Sequence, residues 1–222
     1  MCSPECFKWL AKNITPEEIQ GKRVLEIGAY DVNGSLRYVV EMLRPGEYIG
    51  TDIEAGPGVD VVCPADGLVS RFGNAAFDIV ISANTLEHIR DWRPAVSAMK
   101  CLLKPNGTLF VIAPSVWVYH AHPGDYWRYK AEDFRAIFGD LESLTLSEDP
   151  KAPSEAYGKF RKPLRFQEAD LSKHALFSIV TKTRVLDIAD SDFRRPVFLK
   201  TLLKYKTKLA ALALARRIFR QV

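Results

Sequence analysis

The sequence predicts an α/β fold: a doubly wound, mostly parallel seven-stranded sheet with helices on both faces. Short apolar runs alternate with segments of helical period along most of the chain. Runs such as Ile79-Val80-Ile81 are apolar at consecutive positions, which suits central strands buried on both faces. Two early strands end in acid or glycine, and the carboxyl ends of parallel strands are where such sheets hold ligands. The chain has 222 residues, 47% hydrophobic and 26% charged, enough for one domain with a full core. Residues 1–20 are expected as a helical lead, 21–193 as the domain and 194–222 as a separate basic helix.

The elements follow in order. Pro4–Lys12 reads as a short helix covering a sheet edge or the mouth of a site. Thr15-Pro16-Glu17-Glu18 opens a second helix, with Thr15 as cap, Pro16 at the first helical position and Glu18 closing a capping box. Strands are expected at Arg23–Ile27, Tyr48–Asp52, Val59–Cys63, Phe77–Ser82, Thr108–Ala113, Leu141–Leu146 and Leu176–Thr181. Helices are expected at Leu36–Leu43, Leu68–Phe72, Arg93–Leu103 and Glu132–Phe138, the third entered through Asp91 and Pro94. Residues 148–174 carry three prolines and no clear period, so they read as an insertion or lid between the last two strands.

Charge is uneven. Nine basic residues and no acid lie between Arg194 and Val222, while the rest of the chain holds 22 basic against 27 acidic residues. In that tail Phe198, Leu202, Tyr205, Leu209, Leu212 and Phe219 recur at helical spacing, the pattern of a basic amphipathic helix that docks on the domain or on an anionic surface. No apolar run reaches membrane-span length and no secretion signal is evident, so the expected address is the cytosol, with peripheral contact at the inner membrane surface open. Cys2, Cys6, Cys63 and Cys101 form no pair of CxxC elements, which argues against structural zinc, and Cys63 and Cys101 are expected as buried thiols.

The most informative stretch is residues 23–34, where an apolar strand runs into Glu26, then Gly28 and a turn. An acid at that mouth favours a cofactor with positive charge and an amino-acid tail, a description S-adenosylmethionine fits. The next strand ends at Asp52, from which a carboxylate can accept both ribose hydroxyls. These residues resemble the class I S-adenosylmethionine-dependent methyltransferases, in particular the type 11-like group acting on small molecules and glycans. The resemblance extends through Phe77–His88 and Leu102–Leu109, about residues 20–182 in all. It departs in the loop, where Tyr30 and Val32 stand at positions usually glycine and Gly34 supplies the permissive residue. The resemblance implies Glu26, Ala29 and Tyr30 at the methionine end, Gly28 for close backbone approach, and Asp52 with Ile53 at the ribose. It further implies Asp66 with Gly67 at the adenine. Ser82, Ala83 and Asn84, at the mouth of the fourth strand, are expected along the methionine moiety, and His88, next on that segment, either at the cofactor or as a packed, hydrogen-bonded residue.

The densest polar and aromatic cluster follows the fifth strand, from Trp117 to Tyr129. His120 or His122 could take a proton from a hydroxyl acceptor with Asp125 orienting the imidazole, and Tyr119, Tyr126, Trp127 and Arg128 could bind the acceptor. The alternative is an ordered loop in which Asp125 pairs with Arg128 and the aromatics pack. His120, His122 and Asp125 could also ligate a metal, but no fourth ligand is evident and no metal is expected. A His, Pro, Asp, aromatic, Arg order here resembles methyltransferases of bacteria and archaea, some similar to cell-surface glycan modifiers. The expected function is therefore O-methylation of a small molecule or glycan. Its rivals are a cofactor-fold scaffold without turnover and a nucleic-acid methyltransferase using the basic tail. Against the last, no Asn/Asp-Pro-Pro-aromatic tetrad is present and the basic residues keep to one segment.

Overall fold

The structure, a computed structural model, describes residues 3–32, 34–151 and 153–219, with side chains through residue 213. Its strands are β1 (Arg23–Ile27), β2 (Glu47–Asp52), β3 (Val61–Val62), β4 (Phe77–Ala83), β5 (Leu103–Val116), β6 (Trp127–Arg128), β7 (Glu142–Glu148), β8 (Ser154–Arg161), β9 (Leu176–Ser178) and β10 (Arg184–Val185). The main sheet has seven strands in the order β3-β2-β1-β4-β5-β8-β7. Pairing is parallel from β3 to β5, and β8 runs antiparallel to both its neighbours. The expected doubly wound sheet is therefore present.

Its membership differs from expectation at the C-terminal side. Residues 154–161, expected inside an insertion or lid, form β8, and Ala156, Tyr157 and Phe160 are buried in the sheet. The prolines that suggested a loop, Pro150, Pro153 and Pro163, flank this strand and do not interrupt it. The expected seventh strand at Leu176–Thr181 shrinks to β9, which pairs with β6 and β10 in a separate three-stranded sheet.

Alternation along the strands divides the core. On one face Leu25, Phe77, Val80 and Leu109 pack with Trp92, Met99, Phe134 and Phe138. That face is covered by α4 (Leu68–Phe72), α5 (Trp92–Leu102) and α6 (Ala131–Ile137). On the other, Val24, Ile79, Ile81 and Phe110 meet Cys6, Leu10, Ile19 and Val40 of α1 (Pro4–Asn13), α2 (Pro16–Ile19) and α3 (Arg37–Glu41). Each fully buried side chain of this size contributes roughly 1.5–3 kcal/mol of transfer free energy. The α1 helix starts where Ser3 Oγ accepts from the Cys6 amide, and it lies on the sheet face, with Trp9 stacked on Tyr157 at a ring separation of 5.3 Å. Cys63 and Cys101, expected to be buried, are only half-buried, and among the described cysteines Cys6 is the buried one.

A buried carboxylate joins α1 to the sheet. Glu155 accepts from Ser3 Oγ at 2.7 Å, from Tyr157 Oη at 3.0 Å and from Asn84 Nδ2 at 3.0 Å, with Cys6 Sγ 3.3 Å away. Arg93 on α5 does similar service for the last third of the chain, donating to the carbonyls of Leu171, His174 and Leu186.

Among the described residues the C-terminal helix, α7 (Pro196–Phe219), meets the domain only through its first turns. Phe198 is buried and, with Tyr205, packs on Tyr119 at ring separations of 5.6 and 5.1 Å. Leu199 and Leu203 fall off that stripe and are exposed, and every residue from Lys206 to Ala213 is exposed. The apolar stripe thus meets the domain only as far as Tyr205, and beyond it Leu209 and Leu212 are exposed. Among the described residues, no helix is long and apolar enough to cross a membrane.

Candidate active site

The carboxyl ends of β1 to β5 open on a cavity of about 350 Å³. Strand order sets its lining out in a row. Asp66 stands beyond β3, Asp52 and Ile53 end β2, Gly28 and Tyr30 follow β1, Asn84, Thr85 and His88 follow β4, and His122 follows β5. Gly28 has φ +82°, and a Cβ there would lie 1.9 Å from Thr85 Oγ1, so both conformation and space require glycine. Thr85 is held in place by donating to the carbonyls of Ile27 and Ala83 at 3.1 and 3.2 Å. Among the described residues Asp52 accepts two long backbone bonds, from Tyr30 at 3.2 Å and Glu54 at 3.3 Å, leaving lone pairs for a ligand.

Other expected cofactor residues lie elsewhere. Glu26, Ala29, Gly67, Ser82 and Ala83 do not line the cavity. Ser82 and Ala83 are buried within β4, and the residues that reach the opening lie past the strand end, from Asn84 and Thr85 to His88, Ile89 and Asp91. Glu26 is 4% exposed, and its Oε2 accepts from Tyr48 Oη at 2.5 Å. Burial pushes its carboxyl up to about 7, with Tyr48 and Arg37 opposing the rise only in part. Thr85, Cys63, Pro64 and Asp91 line the cavity and were not singled out by sequence. Their positions immediately after strands or expected elements were the available signal.

The aromatic loop is an ordered, packed structure, which corrects most of its expected roles. Arg128 is buried and commits all its N–H groups: to both oxygens of Asp125 at 2.6 and 2.8 Å and to the carbonyls of Trp117, Val118 and Trp127. It has no donor left for an acidic acceptor. Trp127 is buried, its Nε1 donating to the carbonyls of Ile89 and Arg90. Tyr119 packs on α7, Tyr126 packs on Phe193 at 6.3 Å, and neither lines the cavity. Asp125 is held to about 2, burial being outweighed by Arg128 and His120.

The histidines divide. His122 is exposed on the cavity wall, its ring 6.2 Å from that of Tyr30. His120 does not line the cavity: Nδ1 lies 3.2 Å from Asp125 and Nε2 faces Glu87 at 3.8 Å. Burial lowers its pKa, but Asp125 and Glu87 outweigh burial and lift it to about 9. An imidazole held on both sides and protonated at neutral pH is a poor general base, so His120 does not fit that role. His88 stands beside it at a ring separation of 5.1 Å, with Nδ1 2.5 Å from the Gly124 carbonyl and Nε2 3.7 Å from Glu87.

A family model described as a methyltransferase domain matches residues 3–145, well over half of the chain. The chain belongs to this methyltransferase family. No curated protein matches it. Among solved structures, the methyltransferase is similar to the Burkholderia thailandensis 1,6-didemethyltoxoflavin-N1-methyltransferase, bound to 1,6-didemethyltoxoflavin and S-adenosylhomocysteine. The two share 18% identity at a TM-score of 0.52, over 71% of this chain and 78% of that one. The CurJ carbon methyltransferase gives 18% identity and a TM-score of 0.52, over 72% of this chain and 52% of its own. The [4+2]-cyclase SpnF gives 16% and 0.55, over 72% and 81%. At these identities the likeness is one of fold, the Rossmann-like arrangement of the class I enzymes.

The methyltransferase uses S-adenosylmethionine, and the cavity suits it. Its volume is within the range of small-molecule sites. The backbone at Gly28 approaches closely where no side chain fits, and four carboxylates, Asp52, Glu54, Asp66 and Asp91, line the opening with no lysine or arginine among the described residues.

Proposed function

We propose that this methyltransferase carries the methyl group of S-adenosylmethionine to a hydroxyl of a small-molecule or glycan acceptor, with His122 as the group that receives the proton. The supporting observation is the position of His122 on the cavity wall after β5, at the opposite end of the lining row from Asp66. In this reading Asp52 accepts the ribose hydroxyls, Asp66 the adenine amino group, and Gly28, Tyr30, Asn84 and Thr85 flank the methionine end. Displacement at the sulfonium methyl is in-line, so the enzyme chiefly aligns donor and acceptor and excludes water. An alcohol must lose its proton as the bond forms, and a nearby imidazole serves that need at neutral pH.

The test is a panel of hydroxylated and amino acceptors with labelled cofactor, followed by His122→Ala on any acceptor found. We expect an O-methylated product and a kcat lowered by roughly 10²–10⁴-fold, with cofactor affinity unchanged. An N- or C-methylated product, or an unaltered kcat, refutes the assignment. We propose in addition that the exposed stretch of α7, with Lys200, Lys204, Lys206 and Lys208 beside Leu203, Leu209 and Leu212, rests on an anionic membrane surface near the acceptor.

A further inference from the structure

Among the described residues Glu87 is the one carboxylate with both oxygens buried and unpaired. It is fully buried in the turn after β4, and among the described residues neither carboxylate oxygen has a hydrogen-bond partner. Leaving a buried carboxylate without donors costs several kcal/mol, so such a group implies something that satisfies it. What faces it is a pair of ring nitrogens, His88 Nε2 at 3.7 Å and His120 Nε2 at 3.8 Å, both beyond hydrogen-bond length. One ligand atom from each of the three residues lies within 4.8 Å of the others.

The tautomers sharpen the point. A carbonyl only accepts, so the contact between His88 Nδ1 and the Gly124 oxygen places the proton on Nδ1. His120 Nδ1 likewise faces two acceptors, the Val118 carbonyl at 3.1 Å and Asp125 Oδ2 at 3.2 Å. Without an ion the proton on His120 Nε2 lies toward Glu87; a cation that displaced it would meet two Nε2 lone pairs and a carboxylate converging on one point. We propose that Glu87, His88 and His120 bind a divalent transition-metal ion of the Zn²⁺ class.

Two features beyond the three ligands support this. Bonds of about 2.0–2.1 Å set ligand atoms about 3.3–3.6 Å apart, within a few tenths of an ångström of the 3.7 and 3.8 Å that separate Glu87 from the two imidazoles. Each histidine also has the outer partner that metal-binding imidazoles use, a carbonyl for His88 and a carboxylate for His120, and Asp125 is fixed in turn by Arg128. Two nitrogens and one carboxylate suit Zn²⁺, Co²⁺ or Mn²⁺ better than Mg²⁺ or Ca²⁺. Because His88 also lines the cavity, the ion borders the wall beside the acceptor. A part in polarising an acceptor oxygen rests on the O-methylation reading above, whereas the binding itself does not.

The experiment titrates chelator-treated, full-length protein with Co²⁺ and then Zn²⁺, reading visible ligand-field absorption and bound metal by mass spectrometry. We expect one equivalent of Co²⁺ that Zn²⁺ displaces, with affinity falling at least tenfold in Glu87→Gln and in His120→Asn, and to a lesser degree in Asp125→Asn. Circular dichroism checks folding. Should the substitutions unfold the chain, anomalous scattering from Zn²⁺-soaked wild-type crystals answers the question directly, with a peak between the three side chains expected. No uptake at millimolar metal, uptake unaffected by both ligand substitutions, or an anomalous peak elsewhere would overturn the proposal. Because none of these readouts needs an acceptor, an incorrect acceptor class leaves them unchanged.

Discussion

Replacing Glu26 by glutamine should stabilise the fold at alkaline pH and do progressively less as the pH falls. The buried Glu26 carboxyl titrates near 7, where the unfolded chain's ordinary carboxyl titrates near 4.5. Each pH unit between those two values is worth about 1.4 kcal/mol, so ionising the group in the folded protein costs about 3 kcal/mol more than in the unfolded chain. Because the folded-state pKa is raised, the associated stability is fully present below pH 4.5. It is lost as the pH climbs to about 7 and is constant thereafter. Glutamine keeps an acceptor for the Tyr48 hydroxyl and has no proton to lose. Urea unfolding of both proteins at pH 5, 6, 7 and 8 isolates the effect, since every other titrating group contributes equally to the two curves. The stability of Glu26→Gln relative to wild type should rise by about 2–3 kcal/mol from pH 5 to pH 8. A constant difference across that range would show that Glu26 ionises as an ordinary surface acid, in contact with water.

Other outcomes follow from the same geometry. Asp52→Ala should weaken S-adenosylmethionine binding by about 2–4 kcal/mol in calorimetry, and unchanged affinity would remove the ribose assignment. Arg128→Ala should cost about 3–5 kcal/mol in chemical denaturation, because Asp125 is left buried and charged. A loss below about 1 kcal/mol would mean that water replaces the guanidinium. Ending the chain after Tyr205 keeps the aromatic contacts of α7, so it should shift the melting temperature little while abolishing sedimentation with anionic vesicles. Retained sedimentation would place the membrane contact elsewhere.

The cofactor side of the cavity was legible because its signals are local. Gly28 and Asp52 each follow directly on an apolar strand, and Asn84 and His88 follow the most apolar strand of all, so strand, stop and polar residue can be read together. Glu26 misled for a related reason: an acid at a strand end reads as open to a ligand, but the two-residue alternation turns its side chain onto Tyr48. The loop after β5 could not be apportioned from composition. Whether Arg128 meets a ligand or Asp125 depends on burial, and burial there depends on the turn that brings Trp127 beneath Ile89. Strand β8 was hidden by its flanking prolines. The partnership of Glu87 with His120 needs the fold itself, since two loops from different strands meet there.

Among the described residues, those lining the cavity all lie between Ile27 and Pro123, yet the cavity is not a product of that stretch alone. Glu155, which receives the Asn84 amide and the Ser3 hydroxyl, arrives on β8, a strand that enters the sheet out of chain order between β5 and β7. As the chain leaves the ribosome, all the ligand-facing side chains emerge well before the strand that steadies their wall. Until β8 docks, the long apolar edge of β5 is open to pairing with any other strand, which makes this interval the molecule's exposure to misassembly. The wall that carries Asn84 therefore gains its Glu155 support only with the closing of the sheet.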